Sequence, residues 1–471
     1  MNAVTPSPPR TLKRSMRVVG VTLLTLSSIT PASSVFVIVG GTGGVLQQAG
    51  TGAFLSMTAM AFVSLAVAYV YAELSSAFPI AGGEYCMVGN TLGPAAGFAT
   101  LTLTALGNML APAVFALGAA EYISAVVPGL NATAVGIVMI VMTTLLGVLH
   151  IRTNAWVTGT FLALEVLALL VLAVLGFAHI HTPLSALIFH PVQLSSGGLQ
   201  SATFAMIGLS AATSIFAYNG YGSAIYFAEE MHEAPRLVAR TIMLTLVLAV
   251  ATEIIPVTAV LMGAPDTKAL LGAATPFSYF VQTMGGRALG IAISLSIALA
   301  IFNAVLATVM QNGRFFFSTG RDETWHALIN NAFTHTHSRF NSPWAATLAS
   351  GATAIGACFI GMKYLLVLTG TGIVLVYGAL CVSACVGRWR GSSSHAAYRM
   401  PGFPAVPIIG FAALGFIVYT SWLDPETGRH SLIANAIAVV VALLYYRFVL
   451  VRRGTWVLRG PHDEPVRALS E

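Results

Sequence analysis

The chain has 471 residues, of which 56% are hydrophobic and only 8% charged. A water-soluble surface needs roughly a quarter charged residues, so a soluble globular protein is excluded and a polytopic helical membrane protein is expected. The formal net charge of +6 is not a nucleic-acid signal, because the basic residues fall in short connecting segments. No nucleic-acid partner and no cofactor are expected.

Residues 1–17 are rich in Pro, Ser and basic residues and read as a cytoplasmic tail. A cleavable signal peptide is not expected, since the first apolar run is long and lacks a cleavage site. Twelve apolar spans follow, at about 18–43, 52–78, 97–126, 132–149, 155–178, 201–230, 238–262, 287–316, 344–361, 364–387, 404–422 and 431–450. A helix needs about 20 apolar residues to cross a bilayer. With the N-terminus inside, all 22 Lys and Arg except Lys268, Arg287, Lys363 and Arg429 fall on the inner side. That asymmetry puts both termini, including the tail at 451–471, in the cytoplasm. The expected location is the plasma membrane, which is the inner membrane in a Gram-negative cell, with lipid as the surrounding partner.

The first and sixth spans are both interrupted. In the first, Pro31 within Ser27-Ser28-Ile29-Thr30-Pro31-Ala32-Ser33-Ser34 removes a helix hydrogen bond and clashes one turn back. The neighbouring hydroxyls are placed to satisfy freed carbonyls. In the sixth, Asn219-Gly220-Tyr221-Gly222 is turn chemistry inside an apolar run, at a cost of about 1 kcal/mol per Gly relative to Ala. Either break read alone is also compatible with a kink or with close helix packing. Taken together they lie five spans apart. Because five is odd, two five-span halves, 18–178 and 201–387, must be inverted relative to each other, leaving 404–450 as two additional helices. Broken helices in matching positions of two halves point to a transporter binding site. Half-helix N-termini offer N–H groups to an anion and C-termini offer carbonyls to a cation, which suits a zwitterion.

Several motifs then carry a family resemblance. Ala72-Glu73-Leu74, Phe78-Pro79, Gly82-Gly83-Glu84-Tyr85 and Leu92-Gly93-Pro94 resemble the second-helix signature of amino acid–polyamine–organocation permeases. Phe216-Ala217-Tyr218-Asn219-Gly220 with Ala228-Glu229-Glu230 resembles that family's sixth helix, and Arg314 to Arg321-Asp322 the end of its eighth. The resemblance covers about residues 18–450. It implies an all-α integral membrane protein of the leucine-transporter type, with ten core helices in inverted five-helix repeats plus two more. It further implies secondary transport of an amino acid by alternating access, by proton symport or by exchange, in a monomer or homodimer. The chain departs from the family in having Ala32-Ser33-Ser34 where Gly-Ser-Gly is common, and Asn219 where an apolar residue or Asp is commoner. Glu165 stands where some proton-coupled relatives carry Lys.

The expected substrate site comprises Thr30, Ala32, Ser33 and Ser34 of the first break and Phe216, Ala217, Tyr218, Asn219 and Gly220 of the sixth. The amides Asn108 and Asn303 are added as candidate lining residues, against the alternative that they only bond neighbouring helices. Phe216 is either a packing aromatic or, by its place in the family pattern, the gate over the substrate. Glu165 lies among apolar residues in mid-span, where a carboxylate costs about 2.5–3.5 kcal/mol on an insertion scale. It is the expected proton-coupling group; the alternative is a structural Glu bonded to a neighbouring helix. Glu121 and Glu253 also lie in spans without an assigned role. Glu73, Glu229 and Glu230 are expected to pair with Arg236 or Arg240, or to be solvated. The H-x-H of His335 and His337 lacks further ligands, so no metal site is expected. The four cysteines read as packing residues.

Other classes fare less well. No filter sequence marks a channel, no sizeable soluble domain marks a receptor, and neither a P-loop nor a nucleophile–base pattern marks a pump or an enzyme. A polyamine or other organic amine is the alternative substrate class.

Overall fold

A computed structural model describes residues 18–80, 82–123, 127, 129–149, 151–231, 233–337, 342–454, 456 and 458; the side chains of 151–158, 229 and 230 are outside the description. Helices dominate, and among the described residues nine are long and apolar enough to cross a membrane. Helical segments cover every apolar span expected from the sequence, but three of them fall short of that length. These are Ala132–Gly147, Trp344–Ala357, and the sixth span, which is divided into Phe204–Leu209, Ala211–Ala217 and Tyr221–Glu230.

The boundaries follow local chemistry. Asn131 accepts from the Ala134 N–H at 3.0 Å and so caps the helix that starts at Ala132. The Pro276–Arg321 helix is interrupted at Gly286, whose φ of 82° is left-handed, so a new helix begins at Arg287, where the eighth span is expected.

The Ala234–Gly263 helix packs against Ala53–Ala77 and Ile151–Ala178, and Pro276–Arg321 packs against Pro94–Ile123 and Ile151–Ala178. Ala405–Leu423 and Gly428–Tyr445 lie against Met362–Trp389 at the edge of the bundle. Large apolar side chains are left on the outside of the long helices, among them Phe62, Leu167, Val247, Ile409 and Ile437. An apolar exterior on this scale is at home in hydrocarbon rather than in water. The interior holds a single apolar core into which the two interrupted helices are sunk, with Ile29, Val35, Phe36, Phe216 and Tyr218 all buried.

One feature of the connections was not anticipated. The segment after the fifth span forms a hairpin, Val192–Ser195 paired antiparallel with Gly198–Ser201. Thr51 fastens it to the bundle by accepting from the Val192 N–H at 2.8 Å.

Candidate functional site

The first interruption centres on Thr30 and Pro31. Val18–Ile29 ends, Thr30 adopts a left-handed conformation with φ 52° and ψ 71°, and Pro31 starts the next helical turn. The chain then continues as a π-helix over Ser34–Val39. Hydroxyls cover the carbonyls around the break. Ser28 Oγ donates to Leu24 O at 3.0 Å, Thr30 Oγ1 to Ile29 O at 2.7 Å, and Ser34 Oγ to Ile29 O at 3.2 Å. A backbone break inside a membrane protein is tolerated when side chains satisfy the freed groups in this way.

The sixth interruption lies at Tyr218-Asn219-Gly220, between Ala211–Ala217 and the 3-10 helix Tyr221–Glu230. Gly220 has φ 121°, a region that side-chain-bearing residues rarely adopt, and its α-carbon lies close against Ile29 of the first break. The two interruptions therefore meet. Ser34 Oγ also donates to Ala217 O at 3.0 Å, linking them a second time.

Thr30, Ala32, Ser33 and Ser34 are fully buried, as are Phe216, Ala217 and Tyr218. Phe216 faces Phe115 with ring centroids 6.5 Å apart, and Tyr218 donates to Met57 O at 3.2 Å. None of these seven lines the cavity that lies among residues of the third, sixth and tenth spans. That cavity takes Asn219 and Gly220 from the sixth break and Asn108 from the third span. Asn303 is not on its wall; it is buried and donates through Nδ2 to Glu165 Oε1 at 3.0 Å. The Ala32 main-chain N–H interacts with the same carboxyl group, so Glu165 sits against the first break. Glu253 is also buried, with neither carboxyl oxygen in a hydrogen bond of good geometry, and the Ser34 hydroxyl interacts with it.

The rest of the cavity wall comes from residues the sequence did not single out as a site. Glu84, at the start of Glu84–Leu92, accepts from Tyr71 at 2.5 Å and from Tyr226 at 2.6 Å. Tyr377 donates to Asn219 Oδ1 at 2.8 Å and packs edge-on to Tyr71. Thr104, Ser223, Gln311 and Thr369 complete the polar part. Gly82-Gly83-Glu84-Tyr85 was visible only as a family motif, and Thr369 and Tyr377 only as parts of an apolar span.

Of the inner-end carboxylates, Glu73 is paired differently from expectation. Glu73 is buried and held by Arg388, at 2.7 Å from Nε and 2.6 Å from Nη2, with Arg399 at 3.4 Å and the Met400 N–H at 2.9 Å. Arg236 and Arg240 are not its partners. The expected pairing of Glu229 and Glu230 falls on side chains outside the described set. Glu121 accepts from Thr42 Oγ1 at 2.8 Å.

A family profile described as amino acid permease matches residues 17–445. The methylthioribose transporter of Bacillus subtilis is 24% identical over 462 residues, which covers 94% of this chain and 95% of that protein. The branched-chain amino acid permease BcaP of Lactococcus lactis is 26% identical over 423 residues, covering 85% of this chain and 88% of the relative. Human cationic amino acid transporter 4 is 24% identical over 405 residues, covering 81% and 61%. These proteins are transporters, and the profile spans nearly the whole chain. The chain therefore belongs to the amino acid permease family, among the amino acid–polyamine–organocation permeases that its motifs resemble.

Proposed function

We propose that this permease carries an amino acid across the plasma membrane by alternating access, as a secondary transporter with twelve crossings and both termini in the cytoplasm. Residues 18–178 and 201–387 act as inverted five-helix repeats of the leucine-transporter type, and 404–450 as two additional helices. The substrate α-carboxylate meets main-chain N–H groups around Ala32, Ser33 and Ser34, and Thr30 shapes that turn. The α-ammonium meets carbonyls near Phe216, Ala217 and Asn219. Phe216 acts as the gate, and Asn108 and Gly220 form the wall against the rest of the substrate. Glu165, steadied by Asn303, takes up and releases the coupled proton.

The observation that carries this reading is the meeting of the two breaks, through Ser34 Oγ to Ala217 O and through Ile29 on Gly220. Opposite backbone ends thereby converge on one place, which is what recognition of a zwitterion requires. A second reading is a neutral polyol in place of an amino acid. It is favoured by the match to the methylthioribose transporter and by the polar cavity wall.

Purified protein in liposomes, given a panel of labelled amino acids with and without a pH gradient, tests the proposal. Saturable uptake or exchange of an amino acid is expected. Transport of methylthioribose with no response to any amino acid would replace the first reading by the second.

A further inference from the structure

Two buried glutamates lie eleven positions apart in the same signature region, and their surroundings differ. Glu73 is neutralised by Arg388 and Arg399. Glu84 is 7% exposed, and among the described residues it has no Lys or Arg within ion-pair distance. Its two oxygens each accept one phenol, from Tyr71 and Tyr226, which are both buried. The Glu84 main-chain N–H also interacts with the carboxyl group, and a carboxylate has about four acceptor sites, so acceptor capacity remains. Glu84 lines the same cavity as Asn219 and Gly220.

The same wall carries other polar atoms without a protein hydrogen-bond partner. Thr104 Oγ1, Ser223 Oγ and Thr369 Oγ1 are buried and unpaired, while the Asn108 side chain interacts with the Tyr226 hydroxyl. Buried polar atoms are nearly always hydrogen-bonded, and those unpaired around one cavity are open to water or to a ligand. A buried carboxyl group is costly to ionise without a counter-charge, and a ligand cation is the partner that would hold it in the charged form.

We propose that Glu84, flanked by Tyr71 and Tyr226, is the subsite for the cationic tail of the substrate, and that this permease favours amino acids with a side-chain ammonium. The inference rests on the reading that the two breaks hold the α-amino and α-carboxyl groups; it adds what holds the other end. Asn219 and Gly220 are where the breaks reach the cavity, so with the α-ammonium held at Asn219 the side chain runs from there towards Glu84. The ammonium donates to the free acceptor sites of Glu84, while the two phenols keep the carboxylate oriented. A single acid at this end fits one positive charge.

The test compares lysine with norleucine, and ornithine with norvaline, as competitors or direct ligands of the full chain in liposomes. Each pair differs only in the terminal ammonium. The parent protein should prefer the ammonium-bearing member by at least about tenfold, the range of a charge-assisted hydrogen bond. Glu84→Gln removes the charge and one of the two oxygens that accept a phenol, so it should abolish that preference by weakening the ammonium-bearing ligands at least about tenfold more than norleucine and norvaline. Equal binding of lysine and norleucine by the parent overturns the proposal without recourse to any variant. An equal loss for both ligands in Glu84→Gln, with an unchanged melting temperature, overturns it as well, because Glu84 would then be a general wall residue. Binding of neutral amino acids without a lysine preference refutes this subsite but leaves the transport reading standing. Failure of every amino acid to bind refutes both.

Discussion

Ser34 Oγ lies 3.0 Å from the Ala217 carbonyl oxygen, and that bond joins the interrupted first helix to the last turn before the interruption in the sixth. The Ala217 carbonyl would not be available in a continuous helix. A carbonyl at the end of an α-helix has no intrahelical partner, and Ser34 lies just beyond a proline that forces the chain to restart. The bond therefore depends on the break in the sixth helix and on the first break lying beside it.

Gly220 tests that adjacency. A Cβ added there would lie 2.8 Å from Ile29 Cγ1, and the residue would still have to adopt φ 121°. Gly220→Ala should lower stability by about 1–3 kcal/mol through strain at a special backbone position. It should also reduce transport more than a packing defect of the same size elsewhere. The melting temperature of the detergent-solubilised protein, read beside uptake in liposomes, checks this; a variant with parental values of both would show that the breaks do not depend on the contact.

Glu165 tests coupling. Asn303 Nδ2 donates to Glu165 Oε1 at 3.0 Å, and Glu165→Gln retains an acceptor oxygen for that bond while removing the titratable group. The variant should keep substrate exchange and lose accumulation driven by a pH gradient. The measurement is uptake against imposed pH gradients alongside exchange without one. Parental pH dependence in Glu165→Gln would assign the proton to another group.

How much of this was legible beforehand follows from chain distance. The breaks were readable because Pro31 and Asn219-Gly220 act on their own local backbone. The placement of Asn108 and Asn219 on one cavity was within reach, since both are polar residues in apolar spans. The partner of Glu73 was not, because Arg388 lies 315 positions away and nearer arginines offered themselves. Glu84 was hidden for a different reason. Its two glycine neighbours made it look like part of a turn motif, and its environment comes from Tyr71 and Tyr226 on separate helices. The hairpin at Val192–Ser201 was missed because its four-residue strands are too short to carry a clear alternation.

The Glu73 clamp gives a stability prediction. Arg388→Met should destabilise the protein by about 3 kcal/mol, because it leaves a buried carboxylate with only Arg399 and the Met400 N–H. The double variant with Glu73→Gln should recover part of the loss, since the unpaired charge is then gone. Thermal unfolding of the parent, the single and the double variant checks the order; a double variant less stable than Arg388→Met would contradict a charge-pairing role.

The most direct measurement concerns how the α-groups are held. In liposomes that take up a labelled amino acid, free amino acid, its N-acetyl derivative and its methyl ester are compared as competitors, and the same series is run on Ser33→Ala. Recognition by main-chain N–H and carbonyl groups at the two breaks predicts that either block weakens competition by at least about tenfold. Ser33→Ala, which leaves the main chain intact, should change it much less. Blocked analogues competing as well as the free amino acid would contradict the account.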